Sequence, residues 1–228
     1  MTEVKISIII PVLNEAATIT TTCHRIQNTP GVEILVVDGG STDATVELAT
    51  QCGVKVIQSS QMGRAKQMNL GASFATGDIL LFLHADTRLP QGYADLVRSS
   101  LAQPQSIAGA FQLAIDSPAS SVRLVEMMVN LRSRLFSLPY GDQAIFLKAS
   151  VFQELGGFSP LPIMEDFEFV QRLKRQGKIT IIPAYVLTSS RRWQQLGVLR
   201  TTLINQAIII GYFLGVPPQQ LLRWYRRQ

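Results

Sequence analysis

A histidine and a carboxylate two residues apart, His84 and Asp86, stand at the end of an apolar run that begins at Asp78. Imidazole and carboxylate groups bind metals and move protons, and along an extended chain residues i and i+2 face the same way. Residues 79–83 read as a strand buried on both faces, the kind found centrally in parallel sheets. In open α/β sheets ligands lie beyond the carboxyl ends of the strands, so this pair stands where a ligand or metal is held. Taken alone, Asp86 serves equally well as the first residue of a turn. A second acidic group, Glu165, Asp166 and Glu168, follows the turn Gly156-Gly157-Phe158. Dipole matching at a helix start explains the sign of these charges, but not their density beside a glycine-rich turn.

The elements that position these groups follow from periodicity. Residues 5–12 are a β-branched run followed by Asn14-Glu15-Ala16-Ala17. This predicts strand, turn and helix to about residue 27, with Asn14 as N-cap. Glu33-Ile34-Leu35-Val36-Val37-Asp38 repeats the pattern, and Asp38-Gly39-Gly40-Ser41-Thr42-Asp43 leads into a helix over 44–52. A third strand over 54–58 precedes a helix over 63–75, which Gly77 is placed to end. Strands separated by helices imply right-handed crossovers and a mostly parallel sheet with helices on both faces, a Rossmann-like, nucleotide-binding α/β architecture. The loop over 38–43 has neither the G-x-G-x-x-G spacing nor the Gly-Lys-Ser/Thr ending of a P-loop, which disfavours dinucleotide or ATP binding. Further on we expect a helix over 93–103, a strand over 106–115 and a helix over 120–137 whose methionines are assigned to core packing. A strand over 144–147, a short helix to 155 and a helix from 164 to near Gly177 follow. The chain closes with two helices, 199–216 and 219–227, separated by Pro217-Pro218.

The 228 residues suffice for one large α/β domain, assigned to 1–190, with a basic, apolar helical appendage over 191–228. Hydrophobic residues make up 46% and charged residues 16%, an apolar balance that suggests contact with something non-aqueous. Of 21 basic and 16 acidic residues, ten basic and no acidic ones follow Glu168, so the part before Phe169 carries 11 against 16. A basic tail suits phosphates, nucleic acid or an anionic membrane surface, or it is simply a solvated face. The appendage falls short of the ~20 predominantly apolar residues of a spanning helix. Its Trp224 and Tyr225 beside arginines fit a membrane interface, and a dimer contact is the competing expectation. The two cysteines, Cys23 and Cys52, form no C-x-x-C motif, so a reducing, cytoplasmic setting is the default. The amino terminus reads as a first strand rather than a signal peptide.

In order, these residues resemble the family-2 glycosyltransferases of the GT-A fold, closest to small bacterial members of the modified-sugar or arsenosugar-associated type. Pro11-Val12-Leu13-Asn14-Glu15 matches the first-strand P-x-x-N-E. Val37-Asp38-Gly39-Gly40-Ser41-Thr42-Asp43 matches V-D-D-G-S-x-D with Gly39 in place of the second Asp. Gly63-Arg64-Ala65 and Asn69-Leu70-Gly71 fit the basic helix that follows, and His84-Ala85-Asp86 stands for the D-x-D. Gly156-Gly157-Phe158 fits the acceptor-side glycine turn, and Glu165-Asp166 the E-D catalytic pair. Arg191-Arg192-Trp193 partly resembles the Q-x-x-R-W of processive synthases but lacks its Gln, which argues against polymer synthesis.

The resemblance implies transfer of a sugar from a nucleotide-diphosphate donor, UDP favoured, to a small-molecule or lipid-linked hydroxyl, with inversion and without nucleic acid. It implies a divalent cation, Mn or Mg, on Asp86 with His84 as a further ligand. A cation there offsets the charge that develops on the leaving diphosphate. Pro11, Asn14, Glu15, Asp38, Gly39, Arg64, His84, Asp86 and Arg192 are the implied donor contacts, with Asp38 accepting a nucleobase N–H and Arg192 gripping the diphosphate. Asp166 is the implied general base, beside Glu165. Asp142 reads either as an acceptor contact or as an Asx turn. The rival readings are a nucleotidyltransferase, which normally carries a Gly-rich basic loop where this chain has Pro11 to Glu15, and a catalytically silent protein that binds a nucleotide or lipid phosphate. Peripheral contact with the cytoplasmic face of a membrane and a homodimer complete the expectations.

Overall fold

The computed structural model describes residues 4–226, the side chains of Arg192 and Arg226 excepted. Strands β1 (Ile6–Val12), β2 (Val32–Asp38), β3 (Lys55–Gln58) and β4 (Ile79–Phe82) pair in parallel. Helices α1 (Ala16–Ile26), α2 (Thr45–Gln51) and α3 (Arg64–Phe74) connect them. Alternate residues of β1 enter different cores: Ile6, Ile8, Ile10 and Val12 pack on one face of the sheet and Ile9 on the other. Burial on both faces is why these strands read as continuous apolar runs.

The same sheet continues through β5 (Thr87–Arg88), β6 (Ser106–Asp116), β7 (Phe146–Lys148) and β8 (Lys178–Ser189). Its order is β3-β2-β1-β4-β7-β6-β8-β5. β7 runs antiparallel to both of its neighbours, and β6 and β8 pair in parallel. Around this half lie α4 (Tyr93–Leu101), α5 (Ser120–Phe136), α6 (Ala149–Glu154) and α7 (Glu165–Gln176). The chain ends in α8 (Arg191–Leu196), α9 (Val198–Phe213) and α10 (Pro218–Arg226), with α9 in contact with α5, α8 and α10. Among the described residues no helix is long and apolar enough to cross a membrane.

Three expectations change. The central strand stops at Phe82, and Ala85-Asp86 forms a turn closed by the Thr87 N–H donating to the His84 carbonyl at 3.1 Å. The chain then leaves to pair as β5 against β8, so His84 and Asp86 are not set by strand alternation. Asn14 does not cap α1: it sits at φ 55°, and its side chain serves the neighbouring loop instead. The methionines of α5 are not core residues, since Met127 and Met128 are each 57% exposed. The inner face of α5 is partly polar: Asn130 Oδ1 accepts from the Leu113 N–H at 2.8 Å, and Glu126 Oε1 accepts from the Ile115 N–H at 2.5 Å. These bonds join α5 to the backbone of β6 and turn its long apolar side chains outward.

Candidate active site

The first wall of the site is built where β1 and β2 end side by side. Asp38 is 4% exposed. Its carboxylate accepts the Gly40 N–H at 2.9 Å and the Ser41 N–H at 3.1 Å. Asn14 locks the adjoining turn, its Oδ1 accepting from the Thr42 N–H at 2.8 Å and its own N–H donating to Ser41 Oγ at 2.9 Å. The loop over 38–43 is thus a rigid nest of backbone amides, held without a helix N-terminus. Gly39 has a steric cause. A Cβ there would lie 2.9 Å from the Gln67 amide, which itself donates to the carbonyls of Val12 and Val37 at 2.8 Å each. Gln67 therefore bridges the two strand ends and occupies the space of any larger residue at 39.

A cleft of about 500 Å³ opens beside this wall, lined by Glu15, Arg64, His84, Asp86, Asp142, Glu165, Asp166 and Arg191 among others. Residues from both halves of the chain meet there. Arg191, the first residue of α8, donates from Nη2 to Glu15 at 2.9 and 3.1 Å and to Asp86 at 3.2 Å. Burial works against the charge of Arg191, but the hydrogen bonds and charges of Glu15 and Asp86 together outweigh it and hold its proton above the ordinary arginine value. Two carboxylates converging on one cationic nitrogen form a pocket for positive charge. Among the described residues no group of three or more His, Cys, Asp or Glu side chains gathers as metal ligands.

At the other end, α7 begins after Met164, which turns the chain at φ 67°, a strained conformation for a residue with a side chain. The bend sends Glu165 inward, where it is buried and 3.8 Å from Arg64. Burial and the neighbouring Asp166 charge raise the Glu165 carboxyl above its ordinary value. Asp166 faces the cleft. Its Oδ2 accepts the Gly141 N–H at 2.7 Å, and its Oδ1 accepts the N–H of Phe167 at 2.7 Å. Gly141 fits between Asp166 and His84: a Cβ there would meet Asp166 Oδ2 at 3.0 Å and His84 Nε2 at 3.1 Å.

Burial, aided by the Arg64 charge, depresses His84 to about 3, so its imidazole is neutral at physiological pH. Burial raises Asp142 to about 6 in spite of the nearby Arg132 guanidinium. Arg132 is itself fixed, stacked 3.4 Å from the centre of the Tyr140 ring and donating to the Leu138 carbonyl at 3.1 Å. Among the described residues, two buried polar atoms on this cleft lack a protein partner, Asp142 Oδ1 and Trp193 Nε1. An unpaired buried donor and an unpaired buried acceptor in one cleft are groups that a polyhydroxyl ligand satisfies.

The glycine turn is pinned from two sides. Asn69 exchanges two hydrogen bonds with Phe158, each 2.8 Å, and Arg172 donates to the carbonyls of Leu155 and Gly157 while pairing with Glu168. Gly157 has φ 72°, and a Cβ would come 2.6 Å from Asn69 Oδ1.

Of the implied donor contacts, Glu15, Arg64, His84 and Asp86 line the main cleft, and Pro11 lines a small crevice with Arg64, His84 and Asp166. Asn14, Asp38 and Gly39 form the adjacent nest rather than the cleft wall. The side chain of Arg192 lies outside the described residues. Sequence reasoning passed over Gln67 and Arg132, and named Arg191 and Trp193 only as the neighbours of Arg192 in a partial motif, without a role. For Arg191 the only available signal was adjacency to Arg192, and for Gln67 the unusual glycine it excludes space from.

The family model described as "Glycosyl transferase family 2" matches residues 7–153. The chain is 27% identical over 222 residues to a PGL/p-HBAD biosynthesis glycosyltransferase of Mycobacterium bovis, covering 89% of this chain and 82% of that protein. It is 34% identical over 101 residues, 41% of this chain and 27% of the relative, to a 4,4'-diaponeurosporenoate glycosyltransferase of Staphylococcus haemolyticus. Its fold matches the mannosyltransferase PcManGT of Pyrobaculum calidifontis, determined in complex with GDP-Man and Mn2+. That match has a TM-score of 0.67 at 19% identity over 82% of this chain and 57% of that one. S. aureus TarS in complex with UDP-GlcNAc matches with a TM-score of 0.66 at 21% identity, over 81% and 58%. The chain thus spans little more than half the length of these solved structures, and the likeness establishes a GT-A fold. With the family model covering well over half of its residues, the chain belongs to glycosyl transferase family 2 and is a glycosyltransferase.

Proposed function

We propose that this enzyme transfers a sugar from a nucleotide-diphosphate donor, UDP favoured, to a hydroxyl of an amphipathic or lipid-linked acceptor with inversion at the anomeric carbon. The observation that carries the reading is the meeting, in one cleft, of a cation-gathering carboxylate pair, Glu15 and Asp86, with the backbone-oriented carboxylate of Asp166. Solved proteins of the same fold bind GDP-Man with Mn2+ and UDP-GlcNAc, which supports the donor class. The Arg191 guanidinium serves as a stand-in cation: where a fixed positive charge is held by Asp86 and Glu15, a divalent ion fits the same donor set. Asp86 would hold that ion, and the neutral His84 imidazole is available as a nitrogen ligand that suits Mn²⁺ better than Mg²⁺. When bound, the ion supplies Lewis-acid neutralisation of the leaving diphosphate.

This chain's residues supply the rest. Arg64 and Arg191 face the diphosphate end, Arg191 exchanging its carboxylate partners for phosphate oxygens, and Arg192 is assigned beside it. Asp38 and Gly39, with the nest tied by Asn14, take the nucleoside. Asp142 receives an acceptor hydroxyl on its unpaired Oδ1, and Asp166 removes the proton from the attacking oxygen while Glu165 fixes Arg64. With one base and no covalent intermediate, attack comes from the face opposite the leaving group, which gives inversion. Residues 1–190 act as the transferase domain and 191–228 as an appendage that also walls the cleft, through Ile208, Ile209 and Tyr225. That apolar wall, lined also by Ile163 and Met164, favours an acceptor with an apolar body. Free Cys23 and Cys52 suit the cytoplasmic side of the cell.

The test is release of UDP from UDP-sugars with manganese, together with calorimetry of UDP binding. Asp86→Ala is expected to abolish metal-dependent UDP binding, because the diphosphate loses its principal counter-charge. A variant that binds UDP with an undiminished metal requirement removes Asp86 from this role.

A further inference from the structure

Helix α5 carries its large apolar side chains on the outside. Leu124, Met127, Met128, Leu131 and Leu135 recur at helical spacing, and each is about half exposed or more. A core helix of this length has no reason to do so. Beside it, α9 repeats the arrangement with exposed Leu199, Leu203, Ile210 and Phe213, and exposed Leu214 follows at its end. α9 touches α5, so the two helices that carry these stripes are neighbours. Contiguous apolar surface of this kind on a protein marks an interface.

Charge identifies the occupant. Exposed Arg134 accompanies the α5 stripe, where Arg123 is already paired with Glu126, and Arg200 and Arg223 accompany α9 and α10. The acid on α5, Glu126, turns inward to the β6 backbone and Arg123, and no Asp or Glu follows Glu168. In a two-fold dimer the same patch meets itself, which would set these arginines against one another without acids to pair them. An anionic bilayer supplies the missing negative charge, and each basic group near its surface adds attraction that salt screens. The 16 residues of α9 are too few to span, so both helices lie in the interface plane.

We infer that α5 and α9 together form a docking face for an anionic lipid surface, with α5 completing what the C-terminal helices begin. The face reaches the chemistry directly. Phe213 is 67% exposed, yet its ring meets Phe167 edge-on at 5.6 Å, one residue beyond Asp166. Ile208 and Ile209 line the cleft while Ile210, next along α9, lies on the surface. An acceptor lying in the bilayer therefore has an apolar route from the lipid to Asp166. The inference rests on the lipid-linked acceptor proposed above for its purpose, but not for the binding itself.

Vesicle flotation tests it, with phosphatidylcholine alone and mixed with phosphatidylglycerol, at low and high salt. The full chain should float with the mixed vesicles at low salt and less so at high salt. Leu131→Gln with Leu135→Gln on α5, and separately Leu199→Gln with Leu203→Gln on α9, should each weaken partitioning on the order of tenfold or more. All four positions are exposed, so folding is retained, and UDP binding with manganese in the same samples reports on it independently. If the α5 pair floats as well as the parent, or if the parent stays in solution with mixed vesicles at low salt, the docking face is refuted. A dimer by light scattering that the α5 pair dissociates gives the surface to a second copy instead. Loss of UDP binding in the parent would count against the proposed chemistry and leave the docking result standing.

Discussion

The side of the cleft where β1, β2 and α3 end is backed by a nest whose polar groups are held by short hydrogen bonds within neighbouring loops, as Asp38 holds Gly40 and Ser41. The opposite wall, made by α7, α8, α9 and α10, sets two adjacent carboxylates, Glu165 and Asp166, among Ile163, Met164, Ile208 and Ile209. On the reading proposed above, the first side is prearranged for the nucleotide donor. The second has few fixed polar groups and much apolar area, which suits a variable ligand recognised by shape. Arg191 joins the two, since it belongs to the second wall by sequence and to the first by its bonds to Glu15 and Asp86.

Breaking the second wall's chemistry should cost most. Asp166→Asn keeps the shape and one of the two backbone hydrogen bonds, since its amide nitrogen cannot accept an N–H, and removes the basicity. We expect turnover to fall about 10²-fold or more with UDP and manganese binding unchanged. Near-parental kcat with the enzyme's own acceptor would move the base to Asp142 or Glu165.

Arg191→Ala separates the walls. Without the guanidinium, Asp86 and Glu15 should hold manganese alone roughly tenfold more tightly, while the manganese–UDP complex loses affinity by a similar factor. Titration of manganese by its electron paramagnetic resonance signal reads the first effect without any turnover. Equal manganese affinity in parent and variant would mean that the Arg191 bridge does not compete with the ion.

The smallest effect sharpens the comparison through pH. Because burial raises Asp142 to about 6, the folded protein binds its proton more tightly than the unfolded chain does, whose aspartates titrate near about 4. The stability this confers is complete below about pH 4 and is lost as pH rises through about 6. Asp142→Asn should therefore melt at a higher temperature than the parent above pH 6, by a few degrees at most, and the acid limb of kcat near pH 6 should flatten. Melting curves that track each other across this range would show that Asp142 is not a buried acid.

The parallel strands were legible because burial on both faces leaves uninterrupted apolar runs, and their carboxyl-end residues follow at once from the fold rule. The elements after Pro90 were less so. β8 contains Pro183 and exposed residues between buried ones, a pattern no single period describes, and its pairing with β6 is shifted at Phe111 and Gln112. The methionines of α5 misled because spacing reveals a helix with an apolar face but not which face meets the sheet. Asn130 and Glu126, by bonding to β6, made that choice.

By itself, the sequence determined the residue types of the site and their order along the chain: Pro11 to Glu15, Asp38, His84 and Asp86, Glu165 and Asp166. These are local motifs, each dictated by the chemistry of a strand end or a helix start. Only the tertiary structure decided that Arg191 bridges Glu15 to Asp86, that Gln67 fills the space beside Gly39 and that Gly141 binds Asp166. Those contacts join residues between about 25 and 176 positions apart. Such separations carry no periodic trace, because they are set by how the sheet and its helices close around the cleft.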